Sequence, residues 1–369
     1  MSVNAYDPTT DSLILLAAGK KDSRSTLTVT TEMDQLIGET VTVTDNKETL
    51  TSTFSSYKTA IFKLSNIGTY TITCGSLSET VVNESKGSNL TVELGIDLVS
   101  WTNGTDEEIA AMLDAYYNGI LSLEDIQDVW SVGDERVVSL SAMSNTFGEK
   151  GETHRAQDII MTIIDFNHDA LETPINGITK ALITIHQKTY LMDAECAAGT
   201  RYGEDNTENG FMNNADADNV SWKGCARRTW CNNTYYNALP SSFKSMVKDT
   251  IHSTTVGHGS TSLENTIDKV FLLSEYEIFG QTKRAAAQEG EQYAYYMTSA
   301  NRLKTPPYAS NYASHMWYER SPYKVYINDF WPWCMVYVNG NADFAGSTIA
   351  SIYLSHNHDV VGIVPAMCL

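Results

Sequence analysis

Four short runs of β-branched and aromatic residues, crowded between residues 27 and 73, constrain this chain most. They are Leu27-Thr-Val-Thr, Glu39-Thr-Val-Thr-Val, Ala60-Ile-Phe-Lys-Leu and Gly68-Thr-Tyr-Thr-Ile-Thr. Successive side chains of a strand point to opposite faces, so runs of this kind bury one face and wet the other. Each is too short to bury much apolar surface alone and must pair and stack with the rest. The pattern predicts a small all-β sandwich over 26–90, preceded by an extended arm over 1–25.

Glu84-Ser-Lys-Gly-Ser-Asn is a polar break and marks a boundary. A helix is expected next. Thr105 is a good N-cap, and Glu108 three residues on completes a capping box. Ile109, Met112, Leu113 and Tyr116 recur at helical spacing, and Gly119 closes the run. A second helical piece, 122–129, follows, so 91–130 reads as a short helical connector.

Residues 131–369 read as a larger mixed domain, which makes the whole chain α+β. Ile159-Ile-Met-Thr-Ile-Ile-Asp-Phe, Ala181-Leu-Ile-Thr-Ile-His and Val270-Phe-Leu-Leu have the length and apolarity of buried strands. Arg227–Asn237 and Ser241–Ile251 look helical, split by Pro240. After Met316 short strands are expected: Met335-Val-Tyr-Val before an Asn339-Gly340 hairpin turn, and Val360-Val-Gly-Ile-Val-Pro near the end.

Charge narrows the partners. The net charge is −20, from 45 acidic and 25 basic residues, so a nucleic-acid partner is not expected. The same sign argues against docking on an anionic membrane. No apolar run is long enough to span a bilayer, so membrane insertion is not expected either. The opening residues lack a basic segment followed by an apolar one, which predicts synthesis in a cytoplasm without secretory export. The six cysteines (Cys74, Cys196, Cys225, Cys231, Cys334 and Cys368) form no C-x-x-C pair and read as buried or idle thiols.

Catalytic signatures are not found: no nucleophile elbow, zincin helix, P-loop or dinucleotide-binding glycine pattern. His356-x-His358-Asp359 could grip a metal, but exposed side chains on a loop are the expected reading. Asp205, Glu208, Asp216 and Asp218 are similarly read as a solvated loop, since their spacing is not that of an EF-hand. No metal, no cofactor and no enzymatic activity are expected.

The aromatic content after Tyr308 is different. Tyr, Trp and Phe are interleaved there with Asn, Ser, Asp and His, the mixture of a recognition surface, in which rigid aromatic area is joined to adaptable hydrogen bonding. Trp317 and Tyr337 are expected in the core. The candidate ligand-binding residues are Tyr318, Tyr323, Tyr326, Asn328, Phe330, Trp331, Trp333, Asp343, Phe344, Tyr353, His356 and His358.

Several motifs carry a family resemblance. Trp130-Ser-Val-Gly-Asp134, Ile164-Asp-Phe-Asn-His-Asp169, Cys225-Ala-Arg-Arg-Thr-Trp230, Tyr235-Tyr-Asn-Ala-Leu-Pro240 and Asp268 to Glu275 come first. Glu277-Ile-Phe-Gly280, Glu289-Gly290, Arg320-Ser-Pro322 and Val364 to Leu369 complete the set. In this order they resemble a domain of unassigned function common in phage structural proteins and bacterial surface proteins. The resemblance implies a C-type-lectin-like fold related to the formylglycine-generating-enzyme scaffold. Gly68-x-Tyr70 likewise resembles immunoglobulin-like domains, which would make the first sandwich one of these.

Some members of the lectin-like class are diversified by retroelements that rewrite adenines in the C-terminal coding segment. Residues 315–359 resemble such a variable region, set between scaffold pieces at Arg320–Pro322, Val338–Asn341 and Val360–Leu369. Tyr6-Asp-Pro-Thr-Thr-Asp-Ser-Leu is similar to opening segments of phage virion proteins. The implied function is a virion-associated adhesin that binds a bacterial cell-surface receptor, protein or glycan. Its N-terminal region would meet other virion proteins, and a homo-oligomer or multicopy display would supply avidity. A bacterial cell surface is the alternative location. A fibre or capsid decoration protein without a receptor, and an enzyme on the formylglycine-generating scaffold, are the alternative functions. The calcium-dependent sugar motifs and the paired active-site cysteines of those relatives are not reproduced, so neither activity is carried over.

Overall fold

A computed structural model describes residues 3–7, 12–16, 23–75, 77–145, 152–189, 191, 212, 221–257, 259–304, 317–325, 333–336, 340–344 and 362–369. The chain forms two compact units, 1–97 with 118–121 and 98–117 with 122–369. Helices and several sheets are both present, so the fold is mixed α+β.

In the first unit the opening residues pair as a hairpin, Val3–Asp7 against Ser12–Leu16, rather than running as a single extended arm. Beyond it lie two sheets. One has the order Thr59–Leu64, Ser25–Thr30, Asn89–Glu93; the other has the order Thr49–Thr53, Thr40–Thr44, Gly68–Cys74, Leu77–Asn83. The alternation read in the sequence is the alternation of burial: Leu27, Val29, Val41, Val43, Phe62, Leu64, Tyr70 and Ile72 are buried. Threonines occupy most of the intervening positions, where β-branching favours the strand without adding apolar surface.

The second unit begins earlier than the sequence suggested. Of the segment 91–130, expected as a connector, residues 98–117 and 122–130 are part of it. Helix Asp106–Tyr117 buries Ile109, Met112, Leu113, Ala115, Tyr116 and Tyr117, and Trp101 packs edge-on against Trp130 at 5.6 Å. Arg136 Nη1 donates to the Trp101 carbonyl at 3.1 Å and Nη2 pairs with Asp106. A buried aromatic pair and a buried guanidinium tie this helix to the body, which a linker would not do.

The body is organised around a five-stranded antiparallel sheet in the order Glu135–Leu140, Gln157–Phe166, Ile183–Gln187, Ala366–Cys368, Val270–Phe271. The C-terminal strand thus lies inside the sheet. Leu369 exchanges backbone hydrogen bonds with Ile183, and its carbonyl accepts from Tyr117 Oη at 2.9 Å. Of the strand expected at 360–365, residues 362–365 do not form one and the strand is Ala366–Cys368, while 360 and 361 lie outside the described residues. Pro365 has no N–H to give a ladder, and Gly362 makes only an isolated bridge to Trp317.

A four-stranded sheet holds Ile178–Lys180, Ala170–Ile175, Thr250–Thr255 and Leu263–Asp268 in that order. Here the helix expected over 241–251 is corrected. It stops at Met246, and Thr250–Thr255 pairs with Leu263–Asp268 over six positions. Four β-branched residues among the six explain the change. The helical run before Pro240 is continuous but contains one π turn, Cys231–Tyr235, between Ala226–Trp230 and Tyr236–Ala238. A third sheet joins Trp317–Pro322, Trp333–Val336 and Ala342–Phe344. Gly340 adopts φ +79° between the last two strands, the left-handed conformation a tight turn requires.

Candidate functional site

The third sheet carries the start of the aromatic segment. Tyr318, Tyr323 and Trp333 are buried, at 2%, 7% and 5% exposure, so these three belong to the packed scaffold rather than to an exposed face. Trp317 is fully buried, as expected, and donates from Nε1 to the Arg302 carbonyl at 2.9 Å. Asp343 and Phe344 lie on the strand that pairs with Trp333–Val336. Tyr326, Asn328, Phe330, Trp331, Tyr353, His356 and His358 lie outside the described residues, as do Tyr337, His258, His315 and Asp359.

What fixes this sheet is a buried ionic network. Arg320, fully buried, donates from Nη1 and Nη2 to the two carboxylate oxygens of Glu277, each at 2.6 Å. It also donates to the carbonyls of Leu272 at 2.9 Å and Ser253 at 3.2 Å. Glu277 has a second task. It completes the capping box of helix Glu275–Phe279, accepting from the Ser274 N–H at 2.9 Å. Glu289 accepts from the Thr255 N–H at 2.7 Å and from Ser321 Oγ at 2.6 Å. Glu275 gathers the N–H groups of Lys283, Arg284 and Ala285 at 2.8 to 2.9 Å.

A second buried group adjoins this one. Tyr293 Oη donates to the Asp169 carboxylate at 3.0 and 3.1 Å, Thr184 Oγ1 donates to it as well, and His168 Nδ1 lies 3.3 Å away. Burial would push the Asp169 carboxyl up. The adjacent imidazoles of His168 and His252 and the hydrogen bond from Thr184 outweigh it and hold the group well below the usual range. Asp169 is therefore ionised.

Glu319 is the exception. Its carboxyl is fully buried, with no hydrogen-bond partner among the described residues. Burial, reinforced by the negative charges of Glu275 and Glu289, pushes it well above the ordinary carboxylate value. Burial thus favours the protonated form of Glu319.

Asp169, His252 and Glu277 place one ligand atom each within 4.8 Å of one another, a spacing that could hold a metal ion. The donor set argues otherwise. Glu277 is already gripped by the Arg320 fork, and a dication there would lie close to that guanidinium. His252 Nε2 is engaged with Thr250 Oγ1 at 2.8 Å, while its Nδ1, 3.8 Å from Asp169, has no hydrogen-bond partner among the described residues.

Residues 186–369 match the family model of a domain of unknown function, DUF6273. The matched DUF6273 stretch starts on the central strand Ile183–Gln187 and contains Arg320, Glu277, Glu289, Glu275 and Glu319. No curated protein matches the chain. Among solved structures it is similar to "The Bacillus anthracis TIE protein", with 9% identity over 38% of this chain, and a TM-score of 0.17. The chain spans 26% of that protein's length, and superposition at this level defines no fold.

In the sequence Asp169, Glu275, Glu277, Glu289 and Arg320 fall in separate motifs. Folding brings them into one cluster. Their spacing along the chain has no period that would reveal it: only Glu275 and Glu277 share an element, and the other three come from separate parts of the chain. The signal that was present is compositional: charged residues embedded in apolar runs, as in Asp268 to Glu275, are costly unless paired.

Proposed function

We propose that the chain is a virion-associated binding protein whose second unit is a C-type-lectin-like scaffold. It would present the aromatic-polar residues between Tyr323 and Asp359 to a bacterial cell-surface receptor. The first unit would be an immunoglobulin-like sandwich that, with the N-terminal hairpin, serves attachment to other virion proteins.

One observation carries the reading. The residues that bracket the aromatic segment are anchored in the buried core: Arg320 through Glu277 before it, and the strand Ala366–Cys368 inside the central sheet after it. Ends held this firmly let a segment change sequence without unravelling the fold, and a rigid base lowers the ordering cost of binding. A binding role is also favoured over catalysis by the thiols. Burial pushes Cys334 and Cys368 well above the ordinary thiol range, and a thiol nucleophile needs its thiolate.

The test is adsorption of the labelled full-length chain to a panel of bacterial cells, beside the triple variant Phe330→Ala, Trp331→Ala, Phe344→Ala. Saturable binding that the variant loses while its melting temperature is kept supports the reading. Binding that survives, or no binding to any cell, favours a decoration protein. A reverse transcriptase and template repeat beside the gene would support diversification separately.

A further inference from the structure

A second site lies on the helical run before Pro240, outside the aromatic segment. One face of that run, Trp230, Cys231, Tyr235 and Ala238, is buried. The other face is a polar stripe at helical spacing: Thr229, Asn232, Asn233, Tyr236 and Asn237. This stripe forms one wall of a groove of about 470 Å³, whose other wall is Asp249, Ile267 and Lys269, with Arg228 at the end.

The groove has two kinds of groups. Some are fixed. Asn232 donates to the Arg228 carbonyl at 3.1 Å, to Asp268 Oδ1 at 2.9 Å and to the Val270 carbonyl at 3.0 Å, and accepts from the Lys269 N–H at 2.8 Å. Arg228 is held by Asp268 at 2.6 Å, and Lys269 is paired with Asp249. Others are free to bind. Thr229, Asn233 and Asn237 are exposed, and their side chains make no hydrogen bond to another described residue. The π turn Cys231–Tyr235 widens the helix where Asn232 and Asn233 face the groove. Such turns cost helical stability and concentrate at functional sites.

We propose that this groove binds a neutral saccharide. Both cations are already neutralised by carboxylates, so nothing in the groove selects for an anion. Two free amides and a hydroxyl offer donors and acceptors to the vicinal hydroxyls of a sugar. The half-exposed Ile267 supplies apolar surface for its C–H face, beside the Tyr236 ring, over which Lys269 Nζ stands at 5.9 Å. The site is separate from the aromatic segment of the proposed receptor surface and does not depend on that reading.

The test is saturation-transfer NMR on the full-length chain with methyl glycosides of glucose, galactose, mannose, rhamnose and N-acetylglucosamine as probes, and with glucuronate and inorganic phosphate as ionic probes. At least one neutral glycoside is expected to bind. The double variant Asn233→Ala, Asn237→Ala should weaken it by about tenfold or more, corresponding to about 1.4 kcal/mol, with the melting temperature unchanged. Binding should hold between about 0.05 and 0.5 M NaCl, a range that screens exposed charges. The variant Phe330→Ala, Trp331→Ala, Phe344→Ala should bind the glycoside as the parent does. No transfer to any neutral glycoside, transfer unaffected by the double variant, or binding of the ionic probes alone would each overturn the proposal.

Discussion

Arg320 and Glu277 meet through two parallel hydrogen bonds of 2.6 Å, with both side chains withdrawn from water. The fork joins the strand that opens the aromatic segment to the N-terminus of helix Glu275–Phe279. A bidentate pair of this kind fixes direction as well as distance, which suits a base that must hold a sheet at a set angle.

Removing the guanidinium leaves the Glu277 carboxyl buried and half-partnered. Arg320→Ala is expected to cost about 3–5 kcal/mol, the usual penalty for breaking a buried pair. Arg320→Met with Glu277→Leu should cost less than Arg320→Ala alone, because neither charge remains. Chemical denaturation of the three chains checks the order.

Gly290 stands against the same pair. It has φ +86°, and a Cβ built on it would overlap Glu277 Oε1. Gly290→Ala therefore combines a strained backbone, worth about 1–3 kcal/mol, with displacement of the carboxylate that Arg320 grips. A lowered melting temperature is expected. Gly177→Ala is the control: it also has positive φ, but its Cβ meets nothing within 4 Å, so its loss should be the smaller.

Glu319 gives a pH signature with a definite sign. Its folded-state affinity for a proton is raised above the ordinary value of 4.5. The folded chain thus holds a proton that the unfolded chain releases, and stability from this group is full below 4.5 and falls as pH rises toward the raised value. Glu319→Gln keeps the shape without the charge. Denaturation from pH 4 upward, at about one-unit steps, should show the variant matching the parent at the acid end and gaining on it with rising pH. Parallel curves would mean that Glu319 is ionised in the fold.

The boundary of the second unit can be tested by expression. A fragment of residues 98–369 should unfold cooperatively. A fragment starting at residue 131 loses Trp101, Ile109, Met112, Leu113 and Trp130 from the core. Deletion of even one large buried side chain costs about 3–5 kcal/mol, so the shorter fragment should lack a cooperative transition. Circular dichroism melts distinguish the two.

Much of the frame was legible in the residues. Alternation at Leu27, Val29, Val41 and Val43 marks strands because the period of a strand is local geometry. The Thr105–Glu108 capping box and the four apolar positions after it mark helix Asp106–Tyr117 for the same reason. What local pattern could not say is where that helix packs. Its role as part of the second unit rests on Trp101 and Arg136, whose partners lie some thirty residues apart in the chain.

The candidate site divides in the same way. Composition pointed to the aromatic-polar segment, and it also pointed to Tyr318, Tyr323 and Trp333 as contact residues. Aromatic side chains serve cores and surfaces equally well, and only the course of the third sheet placed these three inside. The sequence alone determined which elements can form and which residues are able to recognise a partner, since both follow from side-chain chemistry and short-range geometry. Tertiary structure decided that Arg320 meets Glu277, that Glu319 is a buried acid, and that the last strand lies within the central sheet. Such pairings join residues remote in sequence, and their energies depend on a burial that no local pattern encodes.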